Sequence, residues 1–483
     1  MSSTQFKNMS LDKRITTFEK YLDRNKMAHH EYQKDGLRWI LSNELNKTPI
    51  CGVRGGFIAD EMGLGKTIMM IGTMLCNFVN KTLIIVPPAL IDQWYYQIAN
   101  TTGHKSIIYH GENKKHISLS DLQSAKIVIT TYGAVSASPK QKKLSMLHCI
   151  IWDRLIFDEA HHLRNSNTTL YFGARLIRTS IRWLVSGTPI QNRKEDFYNL
   201  CKAIRLPASY YANVDNLKQL ARTFILKRTK TQVGIILPDL IQDKDIVDWG
   251  NIREMELSQE IHSALSFTNV SNYKNNGALN DFNGTLPILL RARQTCILPR
   301  LLSKNIKNQS YYNEAFNSTS KLDYAIKKIL DRKDNGSGKL IFCHFREEID
   351  EIATRLTNAG ITSLATFDGR TTDSKRDDIL SQAHQILILQ IQTGCEGLNL
   401  QQHYSEIYFI SPHWNPSVED QAIARCHRIG QTKPVYVERF EMRDFKDNVQ
   451  KDSINIEKYI NSIQDFKRET AKVIMEPSSK KLI

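Results

Sequence analysis

The sequence predicts an α/β protein with two parallel-sheet units, a helical insertion between them and a helical segment at the C-terminus. Three observations lead there. Short apolar, β-branched runs recur with helical-looking stretches between them, the alternation of a parallel sheet with crossover helices. The alternation occurs twice along the chain, and it lapses in between. A chain of 483 residues is also too long for one ordinary core.

The first set of runs is Phe57-Ile58-Ala59, Leu83-Ile84-Ile85-Val86, Ile127-Val128-Ile129, Leu155-Ile156-Phe157 and Trp183-Leu184-Val185. From about residue 207 to about residue 334 the strand rhythm gives way to a helical and loop-like reading. Two basic stretches lie there. Residues 217–232 carry Lys218, Arg222, Lys227, Arg228 and Lys230, and residues 286–310 carry Arg291, Arg293, Arg300, Lys304 and Lys307, neither with an acid. Asp334-Asn335-Gly336-Ser337-Gly338 predicts a turn before the second unit's first strand. The second set follows as Leu340-Ile341-Phe342-Cys343, Ile386-Leu387-Ile388-Leu389, Ile407-Tyr408-Phe409-Ile410 and Val435-Tyr436-Val437. Residues 447–475 are mixed in charge and predict a helix. No short-period repeat or low-complexity tract interrupts the pattern.

The composition, 41% hydrophobic and 24% charged, is that of a soluble globular protein. Sixty-five Lys and Arg against 50 Asp and Glu give a formal charge of +15. That excess favours a polyanionic partner, most simply nucleic acid, although charge alone equally serves solubility. Eight cysteines include no Cys-x-x-Cys pair, so neither a zinc ribbon nor a RING is encoded. Most fall in or beside apolar runs, as buried reduced thiols of a cytosolic or nuclear protein do. The first residues have no apolar signal core, and no apolar stretch nears the roughly 20 residues of a membrane span. An intracellular protein with no membrane partner is expected.

The chemistry gathers in two places in the first set. Asp60-Glu61-Met62-Gly63-Leu64-Gly65-Lys66-Thr67 follows a strand and precedes the helix-like run Ile68-Met69-Met70-Ile71. Its glycines let backbone N–H groups approach phosphate oxygens, Lys66 can reach the β and γ phosphates, and the Thr67 hydroxyl can ligate Mg²⁺. The first position of the usual phosphate loop, normally glycine, is Asp60 here. Asp158-Glu159-Ala160-His161 closes a buried-looking strand, at the strand end where ligands collect in α/β sheets. Asp158 would hold Mg²⁺ through water, and Glu159 would orient and deprotonate an attacking water. His161-His162 lacks the spacing of a zinc protease.

With these two halves in place, the chain resembles the Swi/Snf branch of the superfamily-two helicases, with matches in family order from about residue 30 to about residue 440. Tyr32-Gln33 with Gly36-Leu37 resembles the adenine-reading glutamine motif. Val86-Pro87-Pro88 with Gln93-Trp94, and Thr130-Thr131-Tyr132-Gly133, resemble motifs Ia and Ib. Ser186-Gly187-Thr188-Pro189-Ile190-Gln191-Asn192 resembles motif III in its Swi/Snf form, and Lys339-Leu340-Ile341-Phe342 motif IV. Gly397-Leu398-Asn399-Leu400 resembles motif V. Trp414-Asn415-Pro416 leads into Gln421-Ala422-Ile423-Ala424-Arg425-Cys426-His427-Arg428-Ile429-Gly430-Gln431, which resembles motif VI, and residues 289–296 resemble the helical segment between the family's lobes.

The resemblance implies two RecA-like lobes: residues 31–206 binding ATP and residues 335–445 forming the helicase C-terminal lobe. Residues 1–30 would be an extension, 207–334 the Swi/Snf-type helical insertion and 446–483 a helical brace. Tyr32, Gln33, residues Asp60 to Thr67 and Gln421 would bind the nucleotide, with Thr67 and Asp158 on the magnesium. Arg425 and Arg428, three apart, would share a helix face and stabilise charge on the transferring phosphoryl group, an effect of about 10³–10⁵ in rate for arginine fingers. Being in the second lobe, they would make hydrolysis depend on lobe closure. Thr131, Trp414 and Asn415 are weaker candidates for nucleic-acid contact.

Three segments depart from the family pattern: Cys395-Glu396, Ala424 and Ser411-Pro412-His413. None removes a catalytic group. The implied activity is a DNA-dependent ATPase that tracks along duplex DNA and shifts nucleosomes or other bound proteins, using ATP and Mg²⁺. Contacts would be mainly to the phosphate backbone, so sequence specificity is not expected. A strand-separating DNA or RNA helicase is the nearest rival, and a non-enzymatic DNA-binding transcriptional regulator the next. No chromodomain, bromodomain or RING is recognisable, a compactness resembling the family's members in large DNA viruses. A role in viral transcription in the host nucleus would follow.

Overall fold

The computed structural model describes residues 9–140, 144–187, 194–268, 278, 284–394, 398–445 and 453–475. The chain divides into two compact units, one running to Ile236 and taking in the chain from Glu469, the other Leu237–Arg468.

In the first unit β1 (Arg54–Ile58), β2 (Thr82–Val86), β3 (Ile107–Tyr109), β4 (Ile127–Thr131), β5 (Ile151–Asp158), β6 (Arg178–Val185) and β7 (Ile225–Leu226) form one sheet in the order β3-β4-β2-β5-β6-β1-β7. Every pairing is parallel. All five residues of β2 are buried, because helices cover both faces. The strand period of two sends Phe57, Leu83, Ile85, Val128 and Leu155 into one apolar cluster, and Ile58, Ile84, Val86, Ile129 and Ile156 into the other.

A buried polar knot ties a helix to these strands. Glu44, at the end of the helix Glu31–Leu45, accepts from Arg154 of β5 through both carboxylate oxygens at 2.7 and 2.5 Å. The same carboxylate accepts from Trp183 Nε1 of β6 at 2.8 Å and from Asn77 Nδ2 at 2.7 Å.

The second unit holds β8 (Leu240–Val247), β9 (Gly338–Cys343), β10 (Leu364–Phe367), β11 (Ile386–Gln390), β12 (Tyr404–Phe409) and β13 (Val435–Met442), ordered β10-β11-β9-β12-β13-β8 and again all parallel. Leu340, Phe342, Leu387 and Leu389 pack on one face; Ile341, Cys343, Ile386 and Ile388 pack on the other. The helix Ile456–Met475 covers much of the segment expected to be helical at the C-terminus.

The strand rhythm does not lapse throughout residues 207–334. β7 and β8 both lie there, and β8, not β9, is the second unit's first strand. The sequence of β8, with Gln242, Asp243, Lys244 and Asp245 at its centre, lacks an apolar run because it sits at the sheet edge with its middle exposed. This stretch is not a body of its own, since the division between units falls inside it at Ile236–Leu237. No helix among the described residues is long and apolar enough to cross a membrane.

Candidate active site

The chain leaves β1 and turns through Asp60–Gly65 into the helix Lys66–Cys76. Gly63 and Gly65 take φ of 91° and 78°, a region open to glycine and strained for other residues, and Gly65 directly precedes the helix. Lys66 Nζ lies back over the loop, donating to Asp60 O at 2.8 Å and to Glu61 O at 3.5 Å. Ser186-Gly187 passes close by: a Cβ on Gly187 would come within 3.2 Å of Met62 Cγ and 3.3 Å of Lys66 Nζ. Gln33 is buried against the same loop, its Nε2 donating to Leu64 O at 3.3 Å, and a Cβ on Gly65 would collide with it at 2.4 Å. Tyr32 stacks on His30. Loop, lysine and glutamine thus converge.

Asp60 does something else. Its fully buried carboxylate is gripped by Arg228, Nε to Oδ1 at 3.1 Å and Nη2 to Oδ2 at 2.5 Å, so its side chain is turned into the protein. Glu61 is likewise paired, with Lys230 Nζ at 2.9 Å. Sequence spacing gave no sign of either partner, 168 and 169 residues away.

Asp158 ends β5 deep in the unit. Trp94 Nε1 donates to its Oδ2 at 2.7 Å, the backbone N of Glu159 to its Oδ1 at 3.0 Å, and Tyr132 Oη to its carbonyl at 2.7 Å. Burial, then the neighbouring Glu159, pushes its carboxyl up to about 6. Glu159 itself stands in the left-handed region at φ 49°, ψ 49°, a strained state for a side-chain-bearing residue that turns it out of the strand line. Its carboxylate lies 3.2 Å from His161 Nδ1, which is 3.5 Å from Ser186 Oγ. Trp94 and His161, unassigned in the sequence reading, therefore orient the acidic pair.

Magnesium fits this donor set. Asp158 is a buried carboxylate, and it and Thr67 carry the hard oxygen atoms that Mg²⁺ prefers. No group of three or more His, Cys, Asp or Glu suited to a metal occurs among the described residues, whereas Mg²⁺ on a nucleotide needs only one or two protein oxygens beside phosphate and water.

In the second unit, Gln421 is buried on the helix Pro416–Ile423, and its Nε2 has no partner among the described residues. Arg425 and Arg428 are not on that helix as expected. They lie in the turns after Ile423, where the chain tightens and a helical face no longer applies. They meet nonetheless on one segment: Arg425 Nη1 donates to Leu398 O at 3.5 Å, Leu400 N to Arg425 O at 3.1 Å, and Arg428 Nη1 to Asn399 Oδ1. Burial lowers the Arg428 guanidinium, with Arg425 adding to the effect.

The weaker nucleic-acid candidates are engaged internally. Asn415 is buried and accepts from Ser417 N at 3.2 Å, starting the helix Pro416–Ile423. Thr131 is buried beside His110 Nδ1, and Trp414 packs against the apolar core. Residues 188–192 of the motif III-like segment, together with Cys395, Glu396 and Gly397, lie outside the described residues.

Comparison with known proteins adds a second line. The SNF2-related domain family matches residues 32–301, and the helicase conserved C-terminal domain matches residues 320–430. A protein of Orgyia pseudotsugata multicapsid polyhedrosis virus named "Probable global transactivator" is 27% identical over 90% of this chain and 89% of its own length. An uncharacterized ATP-dependent helicase of Mycoplasma genitalium is 28% identical over 94% of this chain, and the human DNA excision repair protein ERCC-6-like is 26% identical over 88%. This chain spans only 43% and 41% of those two. The Sulfolobus solfataricus SWI2/SNF2 ATPase core in complex with dsDNA aligns over 93% of this chain and 94% of that one, with 23% identity and a TM-score of 0.40.

Proposed function

Because the chain belongs to the SNF2-related family of helicase-like ATPases, we propose that it hydrolyses ATP to move along duplex DNA and displace proteins bound there. The observation that carries the reading is the convergence of Lys66 and Gln33 on one glycine loop, with the charge of Lys66 felt by the buried Asp158 carboxylate beside Glu159. Lys66 exchanges its carbonyl partners for phosphate oxygens as ATP enters. Mg²⁺, held by Asp158 and Thr67, would neutralise phosphate charge. Glu159, held beside His161, orients the attacking water and takes its proton. Arg425 and Arg428 carry the charge suited to stabilising a transferring phosphoryl group.

Duplex DNA as the track is supported by family membership and by the net charge of +15. The baculoviral relative, matched along most of its length and named a probable global transactivator, supports a role in viral transcription, for which a host nucleus would be the setting. Nucleosomes are one candidate obstacle among DNA-bound proteins.

The test is ATP turnover without nucleic acid and with duplex DNA, single-stranded DNA or RNA. Stimulation by duplex DNA, with no release of an annealed strand, is the expected result. Release of that strand converts the reading to a strand-separating helicase. Absence of turnover on every polymer, with Lys66→Ala indistinguishable from the parent, overturns both and leaves a DNA-binding regulator.

A further inference from the structure

We propose that residues 226–230 form a strap that sets the shape of the phosphate loop, with Arg228 as its positioning residue. The inference rests on the reading of this loop as an ATP site. The strap runs beside the chain leaving β1: Ala59 N donates to Leu226 O at 2.7 Å and Glu61 N to Arg228 O at 2.9 Å. Parallel pairing thus continues from β1–β7 into the loop itself.

Side chains then lock what the backbone begins. Arg228 holds the buried Asp60 carboxylate through two nitrogens and donates a third, Nη1, to Tyr32 O. Its guanidinium carbon lies 5.5 Å over the Tyr32 ring. Room for it depends on Gly36, where a Cβ would come within 2.7 Å of Arg228 Nη2. Lys230 gives Glu61 both its backbone N, at 2.8 Å, and its ammonium, at 2.9 Å.

The consequence falls on Lys66. The two carbonyls on which its ammonium rests belong to Asp60 and Glu61, the residues whose side chains the strap holds. Arg228 also fixes the carbonyl of Tyr32, the neighbour of Gln33, whose amide contacts Leu64 at the far end of the loop. One guanidinium therefore sets both the start of the loop and the residue that closes on its end. A buried Asp60 in place of the usual glycine gives the loop a handle, and Arg228 is what takes hold of it. Nothing in this arrangement distinguishes ground state from transition state. Its loss costs pre-organisation, which appears as weaker ATP binding rather than slower chemistry.

The experiment is steady-state hydrolysis by the full chain carrying Arg228→Ala, Asp60→Ala or both. Each single variant is expected to raise the KM for ATP about tenfold or more with kcat within a few-fold, the loss of a charge-assisted contact. The double variant should be no worse than the poorer single one, since both remove one interaction. Arg228→Lys keeps a cation on Asp60 and should recover much of the KM. Should an alanine variant fail to fold, as judged by circular dichroism, Arg228→Lys and Glu61→Gln carry the same test with small KM increases. Effects that multiply, or a fall in kcat at unchanged KM, overturn the strap. ATP titration calorimetry on the parent and on Lys66→Ala separates the two readings. A parent that binds no ATP removes the site altogether, whereas an active parent indifferent to Arg228 removes only the strap.

Discussion

At the scale of single residues, the acidic pair at the end of β5 divides into one buried member and one turned outward. Glu159 leaves the strand in a left-handed conformation and reaches His161. Replacing it by glutamine keeps the shape and removes the base, so turnover should drop about 10²–10⁴-fold with ATP affinity retained, read by kinetics alongside calorimetry. Asp158 accepts a side-chain hydrogen bond from the indole of Trp94, against a burial that pushes its carboxyl up to about 6. Trp94→Phe removes that donor while keeping an aromatic ring in place. A hydrogen bond to a charged group contributes about 1.5–3 kcal/mol, so turnover should fall at least about tenfold. Unchanged turnover in Trp94→Phe would mean that the indole only fills space.

Elements are held to one another by buried polar and charged groups, and two of these in the second unit respond to opposite changes of pH. In the first unit, Glu44 joins the helix Glu31–Leu45 to β5 and β6 through Arg154 and Trp183. Glu44→Ala leaves Arg154 buried without its carboxylate and should cost about 3–5 kcal/mol, measured by urea denaturation. In the second unit, Glu348 accepts from His344 N and Phe345 N, both at 2.9 Å, at the start of the helix Arg346–Asn358. Burial pushes its carboxyl from 4.5 up to about 7, against the pull of Arg293 and Lys321. The folded chain therefore keeps a proton that the unfolded chain has released. Stability from this group is full below pH 4.5 and is lost as pH rises through about 7. His262 acts in the other sense: burial lowers it from 6.5 to about 4, so its contribution is present above pH 6.5 and lost as pH falls through about 4. Glu348→Gln should flatten the decline of stability between pH 4.5 and 7 while leaving the acid-side loss that His262 causes. A decline of undiminished slope in that variant would assign the alkaline loss to another group.

Across the whole molecule, what was legible followed from burial and what was hidden followed from distance along the chain. Strands such as β2 and β11, covered on both faces, had to be continuous apolar runs and announced themselves. β8, exposed along its middle at a sheet edge, carries charges there and reads as loop. The loop around Lys66 was legible because its φ values require glycine at fixed places. Arg228 and Trp94 were not, since an arginine or tryptophan distant in sequence has no local periodicity that points to its partner. The same folding redistributes the basic charge that first suggested a polyanionic partner. Arg228 and Lys230 are engaged within the phosphate loop, Arg293 is buried, and Arg300 and Lys304 pair with Glu351 and Glu347. Lys218 and Arg222 stay exposed, so DNA would meet scattered cations drawn from the net excess of 15 rather than one acid-free stretch. Scattered cations neutralise phosphates without reading bases, and each neutralised phosphate releases counterions. The affinity for duplex DNA should therefore fall about 10³–10⁵-fold between 50 and 200 mM salt if six to ten phosphates are contacted, with little dependence on sequence. Fluorescence anisotropy with two unrelated duplexes across a salt series reads both quantities at once. A shallow salt slope, or a large preference for one duplex, would mean that base contacts rather than backbone charge hold the DNA.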